Sequence, residues 1–213
     1  MNRRNFINKS SLGLVTLPFF NSDLFKSIKL TDPLFFKLSL AQFSLFRPIL
    51  NGEIDVYDFA KVSREEGFEG LEYMTTLYKP GGWGQKKSTF GLKEAKDFAN
   101  KSNKKADEFG QENVLLMIDG EGDLSRPGKK ESTESIENHY KWIDAAAEMN
   151  CHSVRVNLYG STDKDEWKKS SIENLSKLCE YAKDYNINVI VDYHNYLSAD
   201  GDLLADVTRR VDY

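Results

Sequence analysis

Five short apolar segments recur along the chain at intervals that match one strand plus one helix. Their first residues are separated by 32, 45, 40 and 35 positions. Each segment has the alternation or the continuous apolar run that is typical of a buried strand. The segments are FKLSLAQ (36–42), FEGLEYM (68–74), NVLLMID (113–119), SVRVNLY (153–159) and NVIVDY (188–193).

Between these segments, apolar residues recur at three- and four-residue steps, which indicates amphipathic helices. The predicted helices span 55–66, 92–109, 135–149 and 171–185. Strands that alternate with helices form a parallel sheet joined by right-handed crossovers. The predicted fold class is therefore α/β.

Polar side chains collect at the C-terminal ends of the predicted strands. A (β/α)8 barrel builds its active site at this end, whereas a doubly wound sheet usually has a glycine-rich loop after its first strand. AQFSLFRPIL, at 41–50, has no such loop, so the sequence favours a barrel of the TIM type. The polar residues at the strand ends are Gln42, Glu72, Asp119, Asn157 and Asp192.

Residues 31–213 are predicted to form one partial TIM-barrel domain. A complete barrel has eight βα units in about 250 residues, but only about the first five units are found here. A natural five-stranded fold would have to protect its exposed sheet edges in another way. We therefore expect the chain to be part of a longer protein with about three further units, roughly 90 residues.

Residues 1–30 are predicted to be an export signal and linker. Arg3 and Arg4 precede an apolar run from Leu12 to Phe20, a pattern that resembles a twin-arginine signal and predicts a periplasmic protein. An ordinary amphipathic helix is the alternative, and no cleavage site is evident, so an uncleaved leader stays open. Export of a variant with both arginines replaced by lysine would contradict the twin-arginine route.

The charge balance limits the partners. The net charge is −4, which disfavours binding to a phosphate backbone, so no nucleic-acid partner is expected. No run of 18 apolar residues follows the leader, so no further membrane span is expected. A small molecule is the predicted partner, and the oligomeric state is left open.

Three further features allow more than one interpretation. The acidic residues of DGEGDLSRPGKK (119–130) lack the spacing of a calcium loop, which leaves a turn with Asp119 as a candidate for substrate contact. The long connection at 75–91, with Trp83, is either a binding loop or a plain linker. Arg155 shares a strand face with Asn157 and could form an internal ion pair, bind a substrate oxygen, or both.

The run IENHYKWIDAAAEMNCHSVRVNLYGS (136–161), with LLMIDGEGDLS before it and YNINVIVDYHNYLSADGDLLADV after it, resembles the xylose isomerase-like TIM-barrel family. Members are commonly called sugar phosphate isomerases/epimerases. The family's fifth strand usually ends in a Glu-Asn-His-Gly type sequence, whose Glu binds a divalent metal and helps to move a proton. The resemblance places Asp192 at the Glu, Tyr193 at the Asn and His194 at the His.

The resemblance implies that Asp192 is both a catalytic residue and a metal ligand. It also implies that an Asp, a His and a Glu from strands six to eight complete the metal site. The complete protein is thus expected to use Mn, Mg, Zn or Co, whereas these 213 residues alone are expected to bind metal weakly or not at all. Candidate substrate-binding residues are Glu72, Asp119, Arg155, Asn157 and His194.

The implied activity is metal-assisted proton transfer next to the carbonyl of a sugar or keto-sugar. Export favours a free or oxidised sugar or a keto-glycoside over a phosphate ester. A non-catalytic carbohydrate-binding protein on a decayed barrel is the alternative from another class. The related apurinic endonucleases share the resemblance, but the acidic balance and the export signal disfavour that activity.

Overall fold

The computed structural model describes residues 36–79 and 90–211. The predicted export signal, the segment 80–89 with Trp83, and the last two residues lie outside this part of the chain. Lys37–Tyr213 forms one compact unit.

The sheet has five parallel strands in the order β1-β2-β3-β4-β5. Each strand therefore pairs with the next one along the chain, as in a barrel, whereas a doubly wound sheet has a reversal in its strand order. The predicted α/β class with the first five units of a TIM barrel is confirmed. The strands are β1 (Ser39–Ala41), β2 (Gly70–Met74), β3 (Glu112–Met117), β4 (Ser153–Val156) and β5 (Asn188–Val191).

Six α-helices are present in the described residues; the first five lie in the connections between strands, and the sixth follows β5. They are α1 (Phe46–Leu50), α2 (Phe59–Glu65), α3 (Leu92–Phe109), α4 (Lys129–Glu148), α5 (Lys164–Lys183) and α6 (Gly201–Arg210). Short 3-10 turns cover Gln42–Leu45, Val56–Asp58, Thr75–Leu77 and Tyr196–Ala199. None of these described helices is long and apolar enough to cross a membrane.

Two helices begin earlier than their apolar periodicity predicts. For α5 the cause is a cap, because the Asp163 carboxylate accepts hydrogen bonds from the amides of Asp165 and Glu166 at 3.0 and 2.9 Å. Trp167, fully buried in the first turn, fixes this end against the core. The first turns of α4 and α5 are otherwise polar, so hydrophobic spacing alone does not detect them.

The main core lies between the sheet and its helices. Val154, Val156 and Leu158 are fully buried on one face of the β4 segment, where they join Trp142 of α4 and Trp167 of α5 in a single cluster. The opposite face, which would line a barrel, carries a smaller apolar cluster of Met74, Leu115 and Met117. Polar side chains on that face stand level with this cluster, at Glu72, Ser153 and Arg155, and continue beyond it towards the C-terminal ends of the strands.

Candidate active site

The candidate site lies where β3, β4 and β5 end. The strands are shorter than predicted, so Asp119, Asn157 and Asp192 follow them in the first loop positions. At Asp119 the reason is visible, because its amide leaves the ladder and donates to Thr75 Oγ1 at 3.0 Å. Arg155 is paired with Met117 and Ile190 inside the sheet, so its side chain rises from a fixed backbone.

One guanidinium connects two carboxylates across three neighbouring strands. Arg155 Nη2 donates to Asp119 Oδ1 and Oδ2 at 3.1 and 3.2 Å, and Nη1 donates to Asp192 Oδ2 at 3.0 Å. The internal ion pair expected for Arg155 is therefore present. The side chains are 20% exposed for Arg155, 10% for Asp119 and 26% for Asp192, so solvent and small molecules reach the Asp192 side most easily.

Asn157 and His194 extend this group on either side. Asn157 Nδ2 donates to Asp119 Oδ1 at 2.6 Å, and His194 Nδ1 lies 3.1 Å from Asp192 Oδ2. We call these five residues, Asp119, Arg155, Asn157, Asp192 and His194, the Arg155 network. Asn157 Oδ1 and Arg155 Nε are buried without a hydrogen-bond partner in the described part of the chain. Buried polar atoms are normally paired, so these two have capacity for a bound hydroxyl or a further segment.

Tyr159 flanks the network on its open side. Its ring meets the His194 ring edge to face, with the centroids 5.7 Å apart. Burial raises the pKa of the Tyr159 hydroxyl above its ordinary value, and the carboxylates of Asp119 and Asp192 raise it further, while Arg155 opposes them. The hydroxyl is therefore a proton donor at neutral pH.

Two residues predicted at the strand ends lie elsewhere. Glu72 is two residues short of the end of β2, level with Leu115 and Ser153, and its carboxylate accepts a hydrogen bond from Ser39 Oγ of β1. The sequence misplaced it because β2 continues to Met74 and its register shifts after Leu71. In the described part of the chain, Glu72 makes no hydrogen bond or ion pair with the Arg155 network.

Gln42 has a structural role inside the protein and does not join the polar residues at the C-terminal ends of the strands. It is fully buried, its Oε1 accepts from the Met74 amide at 3.0 Å, and its Nε2 donates to Tyr78 Oη at 2.8 Å. It thus satisfies backbone and side-chain groups at the end of β2.

Sequence reasoning missed a second charged group behind the network. The Glu121 carboxylate receives Lys79 Nζ at 2.5 Å, Trp142 Nε1 at 2.7 Å and Lys141 Nζ at 3.0 Å. We call Lys79, Glu121, Lys141 and Trp142 the Glu121 cluster. Burial lowers the pKa of the Lys79 ammonium, while the Glu121 charge opposes that change. An acidic residue between two glycines, Gly120 and Gly122, predicts a solvated turn. The sequence therefore gave no sign that the Glu121 carboxylate is buried.

The described residues do not by themselves fit a metal ion. No group of three or more His, Cys, Asp or Glu side chains able to hold a metal occurs among residues 36–79 and 90–211. Asp192 uses Oδ2 for both Arg155 and His194, which leaves Oδ1 for a ligand. The neighbouring guanidinium also places a positive charge beside that position, which opposes a cation there.

The chain belongs to the xylose isomerase-like TIM barrel family, whose family model matches residues 58–213. No curated protein matches the sequence significantly. The structure is similar to 3-keto-D-glucoside 4-epimerase YcjR from E. coli, with 12% identity, TM-score 0.54, and 72% of this chain and 60% of that chain covered. It is also similar to a sugar phosphate isomerase/epimerase from Parabacteroides distasonis, with 15% identity, TM-score 0.56, and 85% and 64% of the two chains covered.

A third similar structure is the IOLI protein with a bound zinc atom, with 13% identity and TM-score 0.56. The match covers 84% of this chain and 60% of that chain. At these identities the likeness concerns the fold. The chain spans 60% to 64% of the length of the three structures.

Proposed function

We propose that the complete protein is a sugar isomerase or epimerase that moves a proton at a carbon next to a carbonyl. The observation that carries this proposal is the pair of carboxylates, Asp119 after β3 and Asp192 after β5, held on either side of Arg155 of the intervening β4. Catalytic residues of such barrels stand at this end of the strands. Membership of the family supports the same class of reaction.

Asp192 is the residue we assign to the proton transfer. Its carboxylate is oriented by Arg155 and is still 26% exposed, so a substrate carbon can approach Oδ1. The carboxylate takes the proton next to the carbonyl, and the C–H electron pair moves towards the carbonyl oxygen to give an enediolate. Return of a proton to the neighbouring carbon completes an isomerisation, whereas return to the opposite face of the same carbon completes an epimerisation.

The other members of the Arg155 network are suited to bind hydroxyl groups. Asn157 Oδ1 is an acceptor with no partner in the described part of the chain, and His194 is half exposed beside Asp192. Two carboxylates and one guanidinium give the network a net negative charge when His194 is neutral. Like charge disfavours a phosphate ester here, so we propose a free sugar or a keto-glycoside as substrate.

A divalent metal, Mn, Mg, Zn or Co, is part of this proposal. Asp192 would contribute Oδ2, in exchange for its contacts with Arg155 and His194, so that Oδ1 stays free for the proton, and the remaining ligands would come from outside the described residues. When bound, such an ion polarises a carbonyl and its neighbouring hydroxyl. The zinc atom of the similar IOLI structure supports a metal in this fold.

Substitution of Asp192 tests the proposal in the complete protein. Asp192→Asn should abolish turnover of the free ketohexose or 3-keto-glucoside that the wild-type protein converts, because the amide is no base. Asp192→Glu should preserve or improve turnover, since Asp and Glu oxygens both bind zinc at about 2.0–2.2 Å. Asp184→Asn, at an exposed residue beyond the end of α5, is the matched control and should have no effect.

Calorimetric titration with MnCl₂ separates the metal role from the proton transfer. We expect weaker binding of Mn²⁺ to Asp192→Asn than to the wild type or to Asp184→Asn. Equal affinity in all three would remove Asp192 from the metal site. Absence of turnover for every ketohexose and keto-glucoside tried, with the metal present, would overturn the proposed activity.

A non-catalytic carbohydrate-binding protein is the second candidate. The observation that favours it is the engagement of Asp192 Oδ2 by both Arg155 and His194, which leaves a single oxygen of this carboxylate for chemistry. Such a protein should bind a sugar without metal and without converting it. Sugar binding that is unchanged by a chelator, together with no proton exchange into solvent deuterium oxide, would favour this candidate.

A further inference from the structure

Lys79 and Glu121 are charged side chains in the interior of the protein. Each is 3% exposed, and their charged atoms are 2.5 Å apart. Removal of two charges from water is costly, and a buried ion pair often contributes less stability than an apolar pair of similar volume. Stability alone therefore does not explain why the Glu121 cluster is buried in the protein.

The Lys79 ammonium also contacts the backbone of Asp119. Lys79 Nζ donates to the Asp119 carbonyl oxygen at 2.7 Å, while the Asp119 amide donates to Thr75 Oγ1 at 3.0 Å. Both polar backbone groups of Asp119 are thus held by the segment that follows β2. Gly120 comes next with a φ of +72°, a conformation that glycine adopts freely, so the chain beyond Asp119 adds little restraint of its own.

The position of this backbone determines where the Asp119 carboxylate points. That carboxylate holds Arg155 and Asn157, and Arg155 in turn holds Asp192. Lys79 is itself fixed by Glu121 and lies 5.7 Å from the centre of the Trp142 ring. A continuous series of contacts therefore connects the interior to the side chain that we assign to proton transfer.

We propose that Lys79 is a positioning residue, which acts through Asp119 to hold the Arg155 network in its binding geometry. Glu121 keeps Lys79 charged and in place. This role rests on the proposed function of the site, because the consequence of a displaced Asp119 is weaker binding and turnover of a sugar. Lys141 shares the Glu121 carboxylate but does not contact Asp119, so it supplies an internal control.

The test compares Lys79→Met with Lys141→Met in the complete protein. Both variants remove one ammonium from Glu121 and leave the other. The probe is the ketohexose or keto-glucoside that the wild type converts fastest. Lys79→Met should lower kcat/KM on the order of 10- to 100-fold, because a misplaced site group has effects of this size. Lys141→Met should stay within about twofold, and an equal loss in both variants would overturn the proposal.

A double variant distinguishes a positioning role of Lys79 from a general loss of structure, because effects that act through the same residue do not add. If Lys79 acts through Asp119, Lys79→Met combined with Asp119→Ala should be no less active than Asp119→Ala alone. Additive losses would contradict that route. If Lys79→Met does not fold, the double variant Lys79→Met/Glu121→Gln takes its place. Its side chain at position 121 is neutral, and the amide oxygen can still accept hydrogen bonds from Lys141 and Trp142. The same loss of kcat/KM is expected for this double variant, and wild-type kcat/KM would overturn the proposal.

Amide hydrogen exchange gives a readout that needs no substrate. Exchange at the Asp119 amide should become faster in Lys79→Met, or in the double variant, and should stay unchanged in Lys141→Met. Wild-type protein that converts no sugar, yet shows this pattern, would defeat the proposed function and leave the positioning role intact. Unchanged exchange at Asp119 would defeat the positioning role whatever the activity.

Discussion

The Arg155 network and the Glu121 cluster are built from the same kinds of groups in opposite arrangement. In the network one guanidinium lies between two carboxylates, and in the cluster one carboxylate lies between two ammonium groups. The ion-pair distances are 2.5 and 3.0 Å in the cluster and 3.1 and 3.0 Å in the network. They differ in burial, because Lys79 and Glu121 are 3% exposed whereas Asp192 is 26% exposed.

This difference separates a buried structural group from the site that we propose to be reactive. Charges that water cannot reach interact strongly, but a substrate cannot reach them either. The Arg155 network keeps one side open, with Asp192, His194 and Tyr159 at its rim. Whether a cluster of charged side chains can act as an active site therefore depends on whether a substrate can reach it, as much as on which residues are present.

The largest expected difference between the two regions is in stability. Glu121→Gln should lower the free energy of unfolding on the order of 3–5 kcal/mol, because it leaves Lys79 buried without its counter-charge. Urea denaturation measures the change. Glu112→Gln is the control, since Glu112 pairs with Lys37 on the surface, and no measurable change is expected. An equal loss of unfolding free energy in Glu121→Gln and Glu112→Gln would show that burial does not make the Glu121 ion pair more important for stability than the surface pair.

Dependence of stability on pH should arise in the buried region. His139, on α4, is 2% exposed, and burial lowers its pKa from 6.5 to about 4, although the Ser135 carbonyl opposes this. Between these pH values the unfolded chain binds a proton that the folded chain does not. Stability is therefore present above pH 6.5 and is lost as the pH falls to about 4, on the order of 3 kcal/mol in total.

Substitution of His139 identifies the source of that loss. His139→Asn keeps a donor near the Ser135 carbonyl and should flatten the dependence between pH 6.5 and about 4. His152→Gln, at an exposed histidine, should leave the wild-type slope, as measured by chemical denaturation at several pH values. The same slope in wild type and His139→Asn would contradict the assignment.

The smallest expected effect is in the open region. Arg155→Lys should reduce the free energy of unfolding by about 1 kcal/mol, because an ammonium group cannot span both carboxylates as the planar guanidinium does. The control is Arg210→Lys, at an exposed arginine that pairs with the single carboxylate of Asp206 among the described residues, and no measurable change is expected there. A larger loss for Arg155→Lys than for Glu121→Gln would reverse the comparison.

The fold could be predicted from the sequence because its signals are local. Apolar runs and three- to four-residue spacing located all five strands and four of the helices, and their alternation gave the parallel sheet. The starts of α4 and α5 were misplaced because their first turns are largely polar, and the start of α5 is fixed by the Asp163 cap and the buried Trp167. The side-chain alternation within β4 also placed Arg155 on the same face as Asn157.

The sequence by itself determined which residues could meet, and the tertiary structure decided which of them do. Period-two alternation put Asp119, Arg155 and Asp192 on one face of the sheet, where the Arg155 network forms. The depth of Glu72 depends on strand register. The pairing of Lys79 with Glu121 joins two loops whose mutual position no local pattern encodes. Periodicity is a property of neighbouring residues, whereas burial and ion pairing depend on packing between distant segments.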